Sequence, residues 1–450
     1  MKQWLLNPLN RTTKFRLPFF LPFACAALLF LSCASNPAIY ARIDSLVKDG
    51  SFDDALTSIN SLRGGRGTVY SQRNDVLFYL DRGMIKHHAG MYRESFQDLH
   101  MAERLIEEAF TRSLTQEISA LLLNDTVIEY RGENYEDLYI NVFNALNFYF
   151  LGDMEGALVE IRRLNEKLVV LEDRYQRLAR RVLDSNEHLD PRQLPMESVR
   201  FSNSALARYL GVLFYRGTGR LDSARIDYEE LIRAFSLAPE IYNHPIPSSV
   251  HDELSIPDGK ARLNVLAFTG LAPTKEERHI FIPLPFAFPN NVARLALPVM
   301  IDRPQTITRV EVVLDTGERF TLELLENMAA VARETFRATY SLMVLRSAAR
   351  AITRATAAAA GAHAAEQQVQ GLGLLVGALG RTFSEAAERA DLRISRFFPA
   401  RALVGAINLT PGIFTVTANF YGHSGLVSSQ TKQIDVREHT LNLTRFICPR

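Results

Sequence analysis

Residues 137–168 read DLYINVFNALNFYFLGDMEGALVEIRRLNEKL, and two apolar periodicities meet there at Leu151-Gly152-Asp153, as in one helix turning back on another. Before the turn, Leu138, Val142, Ala145 and Tyr149 form one stripe at helical spacing, and Phe143, Leu146 and Phe150 form a second. A helix apolar on two sides must be covered twice, which predicts an interior position. After the turn, Met154, Ala157, Leu158, Ile161, Leu164 and Leu168 give the partner helix a single stripe, with Glu155, Glu160, Arg162, Arg163 and Lys167 on the face expected to meet water. Hairpins of this kind stack into arrays whose surfaces hold other chains.

The same pattern recurs on either side. Pro37 to Leu62 carries a stripe of Ile39, Ile43, Leu46 and Val47, a break at Asp49-Gly50, and a new stripe of Phe52, Ala55, Leu56 and Ile59. A second hairpin runs from Asp75 to about Ala109, turning at Ala89-Gly90-Met91-Tyr92, with Ser95, Leu99 and Ala102 on the return face. The fourth, Ser204 to Pro239, has Leu210-Gly211 and Phe214, a turn at Gly217-Thr218-Gly219, then Ala224, Tyr228 and Leu231 before a closing proline. Small residues that let two helices approach, aromatics between them and a late proline resemble a tetratricopeptide repeat. Gly50, Gly90, Gly152 and Gly219 fall at the turns, and Ser95, Ala157 and Ala224 at the close-contact positions. The turns are spaced more widely than that family's period. The third hairpin's second helix also continues through Leu171, Tyr175, Leu178 and Val182, so the array over 33–240 is read as irregular.

Composition changes at 241–260, a stretch with prolines and serines that reads as a linker. From Ala261 the chain alternates and becomes β-branched: Leu263, Val265 and Ala267, then Ile280 and Ile282, Leu295 and Leu297, and Val310, Val312 and Leu314. Strands resume at Ala402–Asn408, Ile413–Tyr421, Gln433–Arg437 and Thr440–Phe446, so residues 261–325 and 400–446 form one β domain split by an Ala/Gly-rich helical insertion, 326–399. The expected fold class is α+β: an irregular tetratricopeptide-like helical array followed by a β-sandwich-like domain with a helical insertion. Within the insertion, Gly371–Gly380 is apolar and suits a tight helix contact, a second copy or a bilayer surface; about a dozen apolar residues fall short of the roughly 20 that span a membrane.

The N-terminus reads as targeting information. Lys2, Arg11, Lys14 and Arg16 precede an apolar run from Leu17 to Leu31, the form of a secretory signal over residues 1–32. Phe30-Leu31-Ser32-Cys33 resembles a bacterial lipobox, with Phe30 where Leu is usual and Cys33 as the residue to be acylated. Ala34 and Ser35 after it favour, by resemblance, the outer membrane of a two-membrane cell. Loss of four basic and no acidic residues takes the formal charge from +1 to −3, a balance that gives nucleic-acid binding no support. Cys25 leaves with the signal, so Cys448 has no obvious partner in the chain.

Catalytic spacings are missing. There is no His-Glu-x-x-His, Gly-x-Ser-x-Gly, paired-cysteine or glycine-fingerprint motif, and Gly64-Gly65-Arg66-Gly67 lacks the strand and the Lys-Ser/Thr of a phosphate loop. His87 and His88 precede a helix turn; His244 and His251 lie near Asp252 and Glu253, either a loose metal cluster or solvated linker residues. The expectation is no enzyme, no cofactor and no metal. Asn141, Asn144 and Asn147 recur every three residues on a repeat's first helix, where amides either line a groove and bond a ligand's backbone or cap and bridge within the array.

The order of parts resembles a group of uncharacterised bacterial lipoproteins: degenerate tetratricopeptide hairpins, a β segment with Gly270-Leu-Ala-Pro273-Thr-Lys275, an Ala-rich helix, then Ala390-Asp391-Leu-Arg393 before the last strands. The resemblance implies an architecture and no chemistry. The expected function is a lipid-anchored envelope scaffold, facing the periplasm, that binds protein or peptide partners through its hairpins. The alternative is an oligomerising component of an outer-membrane assembly or export machinery, acting through 326–390. If Cys33 is the anchor, cells fed radiolabelled palmitate should label the wild-type chain and not a Cys33→Ala variant; equal labelling would refute acylation there.

Overall fold

Gly50, Gly90, Gly152 and Gly219 each follow a helix in the left-handed region, with φ between 72° and 84°. In each case the next residue's N–H reaches back to a carbonyl five positions earlier: Ser51 to Leu46, Met91 to Lys86, Asp153 to Phe148 and Arg220 to Tyr215, all at 2.9 Å. A Cβ would be strained at that φ, so glycine closes these helix ends and turns the chain. In the computed structural model, residues 37–64, 69–115, 126, 128–184, 192, 201–283, 292–368 and 389–450 are described. Cys33 and the Gly371–Gly380 run lie outside them.

The caps define four antiparallel pairs: α1 (Pro37–Lys48) with α2 (Phe52–Ser61), α3 (Asp75–His88) with α4 (Tyr92–Thr115), α5 (Asn134–Phe150) with α6 (Met154–Asp184), and α7 (Ala205–Gly217) with α8 (Leu221–Leu237). Small residues set their approach. A Cβ on Gly83 would come within 2.8 Å of Leu99, and Ser95 donates to the Gly83 carbonyl at 2.9 Å. Helix α5, as its two stripes require, is buried around its whole circumference from Leu138 to Asn147. Helix α6 runs on to Asp184, and its end carries Leu178 and Val182 into a separate apolar cluster.

The C-terminal half is built of sheets, making the chain a mixed α+β protein. Strands β1 (Ala261–Thr269), β6 (Glu323–Glu326), β7 (Arg401–Leu409) and β10 (Asn442–Cys448) form a sheet in the order β10-β1-β7-β6, with β10 parallel to β1. A second sheet, β5-β4-β8-β9, contains β4 (Ile307–Leu314), β5 (Arg319–Thr321), β8 (Gly412–Gly422) and β9 (Gly425–Val436). Successive residues of β1 face opposite ways. Leu266 and Phe268 join the helices' core, while Leu263, Val265 and Ala267 join Val310, Val312, Val416, Ala418 and Phe420 of the second sheet. On β10 the same division holds, with Leu443 and Ile447 toward the helices and Phe446 and Cys448 toward the second sheet.

Three expectations are corrected. First, β2 (Thr274–Pro283) and β3 (Val292–Ile301) join neither large sheet; their hairpin puts Ile282, Leu295 and Leu297 on Leu342, Leu345 and Ala349 of α9 (Met328–Gln368). Second, residues 241–260 are no solvated linker: Ile241, Tyr242, Val250 and Glu253 are buried, because the apolar three complete the helical core and the carboxylate has cationic partners. Third, β9 begins at Gly425, well before the expected Gln433, because its outward-facing Ser429 and Thr431 pair with Asn419 and Thr417 across an exposed face and so carry no apolar alternation.

Helices and sheets thus share one core. Phe268 of β1 stands 5.2 Å, ring to ring, from Phe143 of α5. Truncation by Phe268→Ala should cost about 3–5 kcal/mol. In urea, helical ellipticity and the hydrogen-exchange protection of the β1 amides should be lost in one coincident transition; two separated transitions would contradict the shared core.

Candidate functional site

Between α9 and β7 the chain runs from Ala390 to Ala400 without helix or strand, as ADLRISRFFPA. Most of it is nevertheless buried, including Ile394, Ser395, Phe397 and Phe398. A buried stretch without a ladder must find other partners for its backbone, and here the first helices of the hairpins supply most of them, with the β2–β3 region adding Lys275 and Arg303. Glu136 of α5 accepts the Ser395 N–H at 2.5 Å. Asp81 of α3 accepts both the Arg396 N–H (2.9 Å) and the Ser395 hydroxyl (2.7 Å). Tyr135 donates to the Ser395 carbonyl at 3.2 Å, Arg303 to the Arg396 carbonyl at 2.9 Å, Lys275 to the Arg393 carbonyl at 3.1 Å, and the His88 ring meets the Phe397 carbonyl at 2.9 Å.

The side chains of the segment are held as firmly. Arg396 makes a two-pronged contact with Asp44 of α1, at 3.0 Å and 2.5 Å, and Arg303 reaches the same carboxylate at 2.8 Å. Arg393 donates to the Asn74 side chain and the Ile128 carbonyl. Phe398 lies 5.8 Å from both Tyr135 and Phe143, ring to ring. Three successive hairpins thereby grip one extended peptide. At its N-terminal end lies a cavity of about 100 Å³ bordered by Tyr130, Glu133, Asn134, Arg346, Asp391 and Arg393.

Burial dominates the electrostatics. It pushes Asp81 up to about 6 against the donors that stabilise its charge, and, helped by the neighbouring charge of Glu133, pushes Glu136 up to about 8. Burial likewise pulls His88 down to about 3 and His87 well below its ordinary value, so both rings are neutral near pH 7. The two acids lie beneath the segment with no exposure, and the geometry is that of a backbone clasp rather than an open acid–base pair.

The asparagine row is corrected. Asn141, Asn144 and Asn147 have no exposed surface and line no groove. Asn141 donates to Glu103 (3.0 Å) and Glu160 (2.6 Å), bridging α4 and α6; Asn147 meets His87 at 2.7 Å and donates to Ser95 at 3.0 Å. Glu160, expected in water, is buried on this bridge because α4 and α6 close over that side of α5. The carboxylate Glu253 is buried among Arg216, Arg262, Asn264 and Tyr209. Among the described residues no group of three or more His, Cys, Asp and Glu side chains is placed to hold a metal ion.

No family model, curated protein or solved structure matches this chain. The site therefore rests on its own geometry. Sequence reasoning passed over Asp81, Glu136, Ser395 and Arg396. The usable signal was a lone acid inside an apolar helix, as in Val76-Leu-Phe-Tyr-Leu-Asp81, since a buried charge needs a partner from elsewhere.

Two measurements follow from these environments. Asn141→Leu leaves two buried carboxylates without their shared donor and should cost about 2–4 kcal/mol in urea unfolding, whereas an exposed groove asparagine would cost under about 0.5. Asp81 has a folded value above its unfolded 3.8, so the folded state binds the extra proton and loses stability as pH rises through the window from about 4 to 6. Relative to wild type, Asp81→Asn should gain roughly 1.4 kcal/mol per pH unit across that window; a pH-independent difference would contradict the assignment.

Proposed function

We propose that the chain is a lipid-anchored cell-envelope scaffold whose tetratricopeptide-like hairpins hold extended segments of protein or peptide partners, with a sandwich-like pair of sheets as its second part. The observation that carries this reading is the clasp on Ala390–Ala400, in which side chains from α1, α3 and α5 take up both the backbone and the side chains of an extended chain. Four identically closed helix turns and the small residues between paired helices support the repeat-like description. The apolar cluster shared by β1, β10, β4 and β8 supports the sandwich-like one.

Anchoring rests on the apolar run before Ser32-Cys33. Among the described residues no helix is long and apolar enough to cross a membrane. Oligomerisation through residues 326–390 has less support, because the apolar face of α9 over Leu342–Ile352 is already covered by β3 and the end of α6. No catalytic role, cofactor or nucleic-acid partner is proposed.

Mature protein on beads should recover partners from detergent-solubilised envelopes, and an excess of synthetic peptide spanning residues 390–400 should reduce that recovery with dose. Recovery indifferent to the peptide would count against the hairpins as the binding surface.

A further inference from the structure

The segment Ala390–Ala400 is held in two different ways. Its last three residues belong to the backbone framework: Ala272 donates to the Phe398 carbonyl at 2.7 Å, Ala400 to Thr269 at 3.1 Å, and Ala329 to Ala400 at 3.0 Å. From Ala390 to Phe397, by contrast, no backbone-to-backbone hydrogen bond reaches the segment among the described residues, and its main-chain partners on the helices and neighbouring strands are side chains. The first part can therefore leave without breaking a sheet or a helix, pivoting where Phe398 joins the sheet. Its departure would also return Asp81 and Glu136 to water, and the desolvation that burial imposes on two carboxylates opposes the closed state. Regions joined by side-chain contacts, without a ladder, are those that open below the global unfolding free energy.

We propose that Ala390–Phe397 is an exchangeable resident of the hairpin groove, occupying the site until an external extended peptide of similar chemistry displaces it. This rests on the reading of the inner helices as a peptide-binding surface, and adds its ligand class and its regulation. The contacts specify the class: a hydroxyl residue whose N–H meets Glu136 and whose Oγ meets Asp81, then an arginine for Asp44, then a residue whose carbonyl meets the His88 ring. In the closed state the groove is occluded by the chain's own residues, so partner affinity is lowered by the fraction of molecules that are closed.

Hydrogen exchange on the full mature chain, read by mass spectrometry, tests this without any partner. The amides of residues 390–397 should exchange at least about tenfold faster than those of β1, showing opening without global unfolding. Saturating isotope-labelled peptide ADLRISRFFPA should raise exchange in 390–397 by a further tenfold or so while α3 and α5 stay protected. A peptide carrying R396E should do neither. Protection in 390–397 equal to that of β1, or fast exchange that the peptide leaves unchanged, would overturn the proposal, as would an equal effect of the R396E peptide. Arg396→Ala should lower the peptide concentration needed for displacement; should that variant not fold, the wild-type arms still decide. If exchange behaves as expected while recovery of envelope partners ignores the peptide, the exchange stands and the scaffold reading fails.

Discussion

Strand β1 is buried on both faces, and the rest of the molecule is arranged around that constraint. Its nine residues have no exposed member, so every second side chain needs one cover and the alternate ones another. The helices provide the first through Phe143 and Tyr209, and the second sheet provides the other through Val310, Val312 and Phe420. Polar members of the helix-facing row, Arg262 and Asn264, are met by Glu253, Tyr209 and Arg216. The parallel neighbour β10 extends the wall, and its open edge is closed by side chains: Gln430 pairs with the Ile447 backbone, Lys432 with the Arg445 carbonyl, and Tyr149 with Leu443. An uncovered edge would offer a template for another strand.

Where helices and wall meet, the contacts are unusually polar. Glu326, at the end of β6, is fully buried yet accepts hydrogen bonds from Tyr139, Ser204 and Tyr242 and from the N-terminal backbone of α7 at Leu206. Arg445 is buried against the rings of Tyr92 and Phe150 and donates to the His87 carbonyl. Breaking one member of such a network leaves its partner charged or unpaired in low dielectric, which makes the joint specific in geometry. The clasp on Ala390–Ala400 is built in the same manner, with the difference that the segment held is neither helix nor strand and meets the backbone framework only at its last three residues.

Helix existence and the turns between helices were legible from residue spacing, because Leu138, Val142 and Ala145 repeat at 3.6 and glycine alone tolerates the φ required at Gly152. Strand β1 was equally plain. The candidate site was not. Asn141, Asn144 and Asn147 looked like a groove because amides on one helix face are compatible with either solvent or a polar interior, and only the positions of Glu103, Glu160 and His87 on neighbouring helices decide between them. Likewise Tyr242 and Glu253 sit among prolines and serines that read as a linker, while their partners, Glu326 and Arg216, lie far away in the chain.

The sequence by itself determined the local elements: apolar period sets helix or strand, and glycine sets the turns. Tertiary structure alone decided what covers what. The inner face of the helices meets the chain's own residues 390–400, separated from Asp81 by more than three hundred positions, and no periodicity encodes a pairing at that range. A buried carboxylate and a backbone N–H find each other because each is costly alone, and that cost appears only when the chain has closed around both.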